Sequence, residues 1–193
     1  MCGRYFFDLE SEKLRDYYEA AKKSQSDPSE KIASGEVFPS NHVVTLGADK
    51  DEKIVAGLTK WGFEGFKKGQ LMINARAETV EEKKTFRKPF TETRCVFPMS
   101  GFYEWNAEKE KFLFTHEDDV LYVGGFYRIH RKEEGFVTES IILTTAPNRT
   151  VASVHDRMPL LLESDQIEPW ISDLGFARKM LTEKMPELVV DKV

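Results

Sequence analysis

Short stretches rich in β-branched and aromatic residues, with turn-forming residues between several of them, occupy much of this chain. They lie at residues 54–59, 95–98, 112–115, 120–127 and 136–145. Residues of these types favour strands, and many short strands with few helices are typical of sheets that are mainly antiparallel. The pattern therefore predicts an α+β fold in which helices flank a mainly antiparallel, barrel-like β-sheet, and it leaves the strand order open.

Helical patterns are fewer. Apolar spacing at i, i+3, i+4 and i+7 predicts an amphipathic helix over residues 11–23. The residues that make this pattern are Leu14, Tyr17, Tyr18 and Ala21. We predict further helices over residues 75–84 and 172–184, and a short one that Pro147 opens and that runs to about residue 154. The polar loop over residues 24–30 is too short to separate domains, so residues 1–193 are expected to form a single domain.

The charge balance argues against binding of nucleic acid through bulk charge. The formal net charge is −5, so any contact with DNA needs a local basic patch. Residues 74–95 carry a modest excess of basic side chains, which is either the solvated face of a helix or part of such a patch. Its basic residues are Arg76, Lys83, Lys84, Arg87, Lys88 and Arg94.

Targeting signals and membrane segments are not evident in the sequence. The N-terminus has no apolar stretch behind basic residues, and no segment approaches the roughly 20 apolar residues that span a bilayer. The two cysteines, Cys2 and Cys95, are too few for a disulfide framework. We therefore expect a cytoplasmic protein with no membrane partner, in which Cys95 is a buried strand residue.

Cys2 becomes the first residue once Met1 is removed, as methionine before a small residue normally is. It then carries an α-amine and a thiol on adjacent carbon atoms. An α-amine has a pKa of about 8, so a useful fraction is neutral at pH 7 and can attack an aldehyde to form a Schiff base. The thiol can then close a five-membered thiazolidine ring. Position alone favours the alternative of an incidental terminal cysteine.

Two polar residues beside strand-like stretches are further candidates. Asn74 lies in Ile-Asn-Ala-Arg-Ala-Glu-Thr and offers a donor and an acceptor, while Arg76 offers a planar fork that suits a phosphate. The alternative is a helix start capped by Asn74. Glu104 is flanked by aromatic residues, and desolvation by them would raise its pKa toward the range useful for proton transfer. The alternative places Glu104 on the solvent side of a strand.

His155 and Trp61 complete the set of candidates. His155 can exchange protons near neutral pH, or it belongs to a surface turn in which Asp156 and Arg157 pair. Trp61 offers a platform for stacking on bases, or it is a core aromatic beside a turn. The remaining histidines show no ligand spacing with one another or with the cysteines, so no metal and no cofactor are expected.

Five segments together resemble the SRAP family, the SOS-response-associated peptidases. In order they are Met-Cys-Gly-Arg-Tyr at 1–5, Trp-Gly-Phe at 61–63, Asn-Ala-Arg-Ala-Glu-Thr at 74–79, Arg-Cys-Val-Phe-Pro-Met-Ser-Gly-Phe-Tyr-Glu-Trp at 94–105 and Val-His-Asp-Arg-Met-Pro at 154–159. Each segment alone is weak, but the ordered set that begins with cysteine at position 2 is specific. The resemblance implies an α+β domain around a barrel-like sheet with a positively charged DNA groove.

The resemblance also implies a function in the DNA damage (SOS) response, the covalent capture of abasic sites in single-stranded DNA. Cys2 would form a thiazolidine with the sugar aldehyde and shield the lesion, in chemistry of the lyase type. Asn74 would orient the reacting end, Glu104 would shuttle protons, and His155 would assist proton transfer at the sugar ring oxygen. The residues implied to contact DNA are Arg4, Arg76 and Arg157, which would hold phosphates, and Pro39, Ser40, Asn41 and Trp61, which would match a wedge that stops duplex at the lesion. A terminal reactive residue would suit a monomer, associated with the nucleoid when bound to DNA.

Two other functions remain open. The first is a thiol peptidase acting through Cys2, a hydrolase whose substrate is the bond after its own Met1; no recognisable peptidase motif surrounds Cys2, which disfavours general proteolysis. The second is a single-stranded DNA-binding module without covalent chemistry. Covalent capture requires both Cys2 and an abasic site, turnover of an unrelated peptide would require Cys2 alone, and passive binding would require neither.

Overall fold

The computed structural model describes residues 2–25, 27–65, 67, 69–132 and 135–193 of the chain. The strands in these residues are β1 (Tyr5–Phe7), β2 (Gly35–Val37), β3 (His42–Ala48), β4 (Ile54–Trp61), β5 (Phe63–Glu64), β6 (Leu71–Met72), β7 (Asn74–Arg76), β8 (Arg94–Met99), β9 (Gly101–Trp105), β10 (Lys111–Thr115), β11 (Leu121–Lys132), β12 (Gly135–Thr145), β13 (Met158–Pro159), β14 (Leu161–Leu162) and β15 (Val189–Lys192). The α-helices are α1 (Glu12–Lys23), α2 (Lys84–Glu92), α3 (Arg149–Ala152), α4 (Ile167–Ser172) and α5 (Leu174–Met180).

Five of the strands close into a barrel. In order around the ring they are β12, β4, β3, β8 and β11, and β11 pairs back onto β12. Each pairing in the ring is antiparallel except that of β12 with β4, which is parallel. Closure leaves these strands without free edges and gives them a shared, apolar interior. The predicted α+β fold on a mainly antiparallel, barrel-like sheet is confirmed, as are all five predicted strands.

A second, open sheet carries the start of the chain. Its strands run in the order β15, β10, β9, β1 and β2, and all its pairings are antiparallel. Tyr5 in β1 pairs with Phe102 on one side and with Val37 on the other. Because β1 has neighbours on both edges, the residues just before it are fixed against the fold instead of fraying as chain ends usually do.

The first predicted helix forms where the sequence places it. The hydroxyl of Ser11 caps α1 by accepting a hydrogen bond from the backbone N–H of Leu14 at 3.5 Å. The apolar face packs inward, since Leu14 and Ala21 are fully buried. The short helix near Pro147 also forms, but α3 begins at Arg149 because Asn148 is its N-cap.

The helix predicted over residues 75–84 is wrong. Residues 74–76 form β7 instead, which lies parallel to β12 with Ala75 opposite Leu143. A 3₁₀ turn over Ala77–Thr79 follows, and the helix itself begins only at Lys84. The helical propensity of Ala-Arg-Ala-Glu is overridden by strand pairing with a partner almost 70 residues away. The alternative in which Asn74 caps a helix is wrong for the same reason.

The helix predicted over residues 172–184 has different boundaries. It begins at Leu174 as α5, after a separate helix, α4, that ends at Ser172 and was not predicted. The carboxylate of Asp173 caps α5 by accepting from the N–H groups of Gly175 and Phe176. The second helix ends at Met180, short of the predicted end. Within the described ranges, none of the helices combines the length and apolar character needed to cross a membrane.

Arg94 is a structural residue and does not belong to a surface basic patch. It is only 5% exposed, and its guanidinium donates to the carbonyls of Phe90 and Thr91 in α2 and of Trp170 and Ile171 in α4. The last carbonyls of a helix have no partner within the helix, so one arginine satisfies the ends of both. Arg94 therefore cannot contribute to a basic surface patch formed by residues 74–95.

Candidate active site around Cys2

Cys2 lies in the interior, at the start of the second sheet. The chain from Cys2 to Arg4 runs beside β9, where the N–H of Tyr103 donates to the carbonyl of Arg4 at 2.9 Å. The Cys2 side chain is fully buried, and its Sγ lies 3.9 Å from the Arg4 carbonyl oxygen. Burial raises the pKa of the Cys2 thiol well above its ordinary value, and the charge of Glu104 raises it further. The thiol therefore stays protonated until a nearby base takes its proton.

Asn74 reaches the same point from the barrel. It begins β7, and its side-chain Nδ2 donates to the carbonyl oxygen of Cys2 at 2.9 Å. The Oδ1 atom of Asn74 is buried and has no hydrogen-bond partner among the described residues. A buried amide oxygen without a donor is unfavourable. The site thus offers one acceptor, beside Cys2, that a ligand could satisfy.

Glu104 is a buried carboxyl whose charge acts on the Cys2 thiol. It lies in β9, where it pairs with Phe112 of β10, and it is 3% exposed. Burial raises the pKa of Glu104 above its ordinary range. A carboxyl in such surroundings can hold or release a proton closer to neutral pH than an exposed one. The alternative in which Glu104 points to solvent is wrong.

His155 contacts Glu104 from the loop after α3. Its Nε2 lies 3.8 Å from Oε2 of Glu104, and its Nδ1 accepts the backbone N–H of Arg157 at 3.0 Å. Asp156 Oδ1 is 3.1 Å from the same Nδ1, but Asp156 is 89% exposed and free to turn away, whereas the backbone N–H is fixed. We therefore assign the proton of a neutral His155 to Nε2, the nitrogen that faces Glu104.

The arginines of the site are mostly held by carboxylates. Arg157 forms a two-pronged ion pair with Glu78, at 2.6 and 2.9 Å, and also donates to the carbonyl of Thr144 at 2.7 Å. The alternative in which it pairs with Asp156 is wrong. Arg4 contacts Glu36 at 3.1 Å. Arg76 is exposed and forms no ion pair within the described part of the chain.

The turn that contains Pro39, Ser40 and Asn41 is tightly built. Ser40 adopts a φ of 73°, and the side chain of Asn41 accepts the N–H of Phe38 at 3.0 Å. The backbone of Trp61 closes the turn from behind, because its carbonyl accepts from Ser40 and its N–H donates to Asn41. The turn is therefore preformed, and Phe38 and Ser40 are exposed on it.

The prediction that Trp61 stacks on bases is wrong. Its side chain is fully buried, its ring centroid lies 5.3 Å from that of Tyr5, and its Nε1 donates to the carbonyl of Ile73 at 3.2 Å. A ring enclosed in this way has no free face for a nucleobase. Trp61 is the core aromatic of the alternative interpretation, and it supports the turn from within.

Several neighbours of the site escaped the sequence-based interpretation. Phe38, which precedes the turn, is 40% exposed and stacks under the guanidinium of Arg4 at 4.0 Å. An apolar residue directly before Pro-Ser-Asn is a local signal that could have found it. Glu36 and Lys111 gave no such signal, because they are 75 positions apart in sequence and two strands, β1 and β9, run between the strands that carry them.

Among the described residues, the two cysteines form neither a disulfide nor part of a metal site. Cys2 and Cys95 are both unpaired and buried, and Cys95 lies in β8 as predicted. Burial raises the pKa of the Cys95 thiol, so it is a poor nucleophile. In the part of the chain that the structure describes, no three His, Cys, Asp or Glu residues group together in a way that could hold a metal ion.

The barrel, the second sheet and the cluster around Cys2 together define a class of α+β proteins in which a buried cysteine near the start of the fold lies close to a buried carboxyl and an imidazole. The family model described as SOS response associated peptidase (SRAP) matches residues 1–191 of the chain. The chain belongs to the SRAP family, and the resemblance found in the sequence is confirmed.

The chain is also similar to individual proteins of this kind and to solved structures. It is 34% identical over 184 residues to the abasic site processing protein YoqW of Bacillus subtilis, covering 89% of this chain and 80% of that protein. It is 25% identical over 185 residues to the abasic site processing protein YedK of Escherichia coli, covering 89% and 79%. A crystal structure of a Bacteroides thetaiotaomicron protein shares the fold with a TM-score of 0.78, 20% identity and coverage of 100% of this chain and 92% of that one.

Proposed function

We propose that this chain processes abasic sites in single-stranded DNA and captures them covalently through Cys2 once Met1 has been removed. One observation carries the proposal: Cys2, Asn74, Glu104 and His155 come from four separate parts of the sequence and meet around one buried point. The class of substrate is suggested by the relatives YoqW and YedK, which are abasic site processing proteins.

The proposed covalent step balances without a cofactor. The neutral α-amine of Cys2 adds to the C1′ aldehyde of the ring-opened sugar, and the adduct loses water to give an iminium ion. The Cys2 thiol then adds to the same carbon while its proton passes to a base, and a thiazolidine ring closes. One water leaves overall. The ring removes the imine that would promote β-elimination, so the strand stays intact and the lesion is shielded.

Glu104 and His155 suit the proton transfers that these steps need. The raised pKa of Glu104 lets it act first as an acid toward the adduct hydroxyl and then, as the carboxylate, as the base for the Cys2 thiol. His155 lies beside Glu104 and would assist opening of the sugar ring by protonating the ring oxygen. Asn74 would hold residue 2 in place through its bond to the Cys2 carbonyl.

The DNA itself would be held by phosphate contacts and by the preformed turn. Arg76 is the first phosphate contact we propose, because it is exposed and has no ion pair among the described residues. Arg4 and Arg157 would also bind phosphates once DNA displaces the carboxylates of Glu36 and Glu78 from them. The turn over residues 38–41 would act as the wedge, with exposed Phe38 as its apolar face. Binding through phosphates would fall steeply as salt is added.

A second candidate function is self-removal of Met1. The observation that favours it is that the charge of Glu104 acts on the buried thiol of Cys2, the residue whose backbone nitrogen belongs to the bond to be cut. The thiol would attack the Met1 carbonyl to form a thioester and free the α-amine, and water would then hydrolyse the thioester. Turnover of other peptides is disfavoured because no recognisable peptidase motif surrounds Cys2.

A denaturing gel tests the proposal. Protein whose intact mass confirms loss of Met1 is mixed with a single-stranded oligonucleotide that carries one abasic site, or with an intact oligonucleotide. We expect a shifted band that requires both the abasic site and Cys2, and that persists in Cys95→Ala as the matched thiol control. Cys2→Ser keeps the amine, so it should give a band only after borohydride reduction of the Schiff base.

The outcomes separate the hypotheses. If protein with a free Cys2 forms no adduct, covalent capture is refuted. Equal, reversible binding of both oligonucleotides would then support the passive DNA-binding module. Retention of Met1 in Glu104→Gln but not in wild type, after expression without an aminopeptidase, would support self-removal.

A further inference from the structure

Three charged side chains meet beside the Cys2 site. Oε1 of Glu36 accepts from Nζ of Lys111 at 2.7 Å and from Nη1 of Arg4 at 3.1 Å. Glu36 lies in β2, and Lys111 is the first residue of β10. The strands β1 and β9 run between β2 and β10. At normal strand spacing this separation is about 14 Å, so both side chains must extend toward Arg4 to meet. The cluster is therefore a specific arrangement of three side chains and not an accident of sequence proximity.

Aromatic rings fix the two cations in place. The Arg4 guanidinium lies over the ring of Phe38 at 4.0 Å and faces Trp105 at 5.3 Å, and the Lys111 ammonium lies over Tyr103 at 3.9 Å. Such rings attract cations and restrict their movement. Each cation therefore has a ring contact that does not involve Glu36.

One donor of this cluster has no acceptor. Nε of Arg4 is buried and forms no hydrogen bond with any described residue. A guanidinium presents its N–H groups as a fork that matches two oxygens of one anion. Glu36 meets Arg4 through a single oxygen, the same one that binds Lys111. An anion with more oxygens would satisfy Arg4 more fully.

We propose that Arg4 and Lys111 form a phosphodiester subsite next to the reactive residue, and that Glu36 occupies this subsite in the free protein until a DNA phosphate displaces it. The inference rests on the proposed function, since it assigns a further contact to the same single strand. Lys111 becomes a phosphate-binding residue, and Glu36 becomes a residue that sets specificity. The hydrogen bond from Lys111, followed by the contact with Arg4, holds the pKa of Glu36 below its usual range, so the occupant is anionic.

Glu36 in the subsite would weaken binding to intact DNA more than it would reduce covalent capture of lesions. Each encounter with intact DNA must displace Glu36, which shortens the stay on strands that carry no lesion. An abasic site is retained by a covalent bond and does not depend on tight initial binding. Glu36 therefore lowers affinity for intact single strands with little effect on the final yield of captured lesions.

Binding to an intact oligonucleotide tests the inference without any covalent step. Fluorescence anisotropy is measured over a range of salt for wild type, Glu36→Gln, Lys111→Gln and the double variant. Glu183→Gln is the matched control, because it removes the same charge from an exposed ion pair with Lys179. We expect Glu36→Gln to bind several-fold more tightly at low salt. Its plot of log affinity against log salt should be steeper by about 0.7, the value for one more phosphate contact on a single strand.

The remaining variants locate the effect. Lys111→Gln should bind more weakly with a shallower salt slope, and the gain from Glu36→Gln should shrink in the Lys111→Gln background. A gain no larger than that of Glu183→Gln, or any loss of affinity in Glu36→Gln, overturns the inference. The gel assay with abasic DNA is separate, so absence of capture in every variant would refute the proposed function while leaving a Glu36 effect on intact DNA in place.

Discussion

The side-chain amide of Asn74 donates to the carbonyl of Cys2 at 2.9 Å, across 72 positions of sequence. This bond joins the second sheet, where the chain starts, to β7 on the barrel. Together with the bond from Tyr103 to Arg4, it gives the first residues a defined place. In the proposed reaction, an amine and a thiol held in this way would lose little freedom, which would favour closure of the thiazolidine ring.

Loss of the Asn74 bond should slow capture. In Asn74→Ala we expect a single-turnover capture rate about tenfold lower, equivalent to one hydrogen bond near the upper end of its net value. Asn74→Asp should be slower still, because it places an oxygen against the Cys2 carbonyl. The rate is followed on denaturing gels, with thermal unfolding as the control for folding. A wild-type rate in both variants would contradict the role assigned to Asn74.

Replacing Glu104 with Gln should separate its chemistry from its effect on stability. We expect capture to slow by about 10²–10⁴-fold, the usual contribution of a positioned acid–base group. Because burial raises the pKa of Glu104, the wild-type carboxyl contributes stability that is fully present below its unfolded pKa and is lost as pH rises through the raised folded pKa. Glu104→Gln has no titrating carboxyl at this position, so it does not lose this stability as the pH rises.

The pH dependence of unfolding checks the second half of that prediction. The unfolding free energy of Glu104→Gln relative to wild type should increase as the pH rises above the ordinary pKa of a glutamate, about 4.3, measured by denaturant titration at each pH. A difference that does not change with pH would show that Glu104 has no raised pKa in the folded chain.

Arg157 should act through geometry as well as charge. Its side chain is 14% exposed and holds both Glu78 and the Thr144 carbonyl, which fixes the loop that carries His155. Arg157→Lys keeps the charge but loses the fork, so we expect a loss of stability of about 1–3 kcal/mol and slower capture. In Glu78→Gln, Arg157 retains its contact with the Thr144 carbonyl, so we expect a smaller loss of stability. Equal behaviour of Lys and Arg at position 157 would show that charge alone matters.

Arg94 should matter for stability and not for DNA. Arg94→Met leaves the carbonyl ends of α2 and α4 without donors, and we expect a loss of roughly 3 kcal/mol or more by denaturant unfolding. The affinity of the folded fraction for single strands should be unchanged. Arg87→Ala, on the exposed side of α2, is the control and should change stability by no more than about 0.5 kcal/mol.

Phe38 should contribute to DNA binding through stacking. Phe38→Ala removes a ring that is 40% exposed, and we expect about a tenfold loss of affinity for single strands, within the usual range for one base stacked on an aromatic ring. Phe136→Ala removes a ring that is 77% exposed elsewhere on the barrel, and it should have no effect. A similar loss in both variants would assign the change to general surface apolarity.

Local patterns predicted much of the fold. The period of Leu14, Tyr17 and Ala21 predicted α1, and runs of β-branched and aromatic residues predicted the long strands, because in these segments local preference and tertiary packing agree. The segment after Asn74 is where they disagree. There a helical sequence pairs as a strand with β12, and no local pattern reports a partner so distant.

The sequence by itself determined which chemical groups are available and that an ordered set of segments belongs to one family. It identified Cys2, Asn74, Glu104 and His155, but it left each of them with an ordinary alternative. The tertiary structure decided that Glu104 is buried, that Trp61 is enclosed, and that Glu36 and Glu78 hold the arginines. Burial and ion pairing depend on which distant segments surround a side chain, so desolvation and charge at the site arise only when the chain has folded.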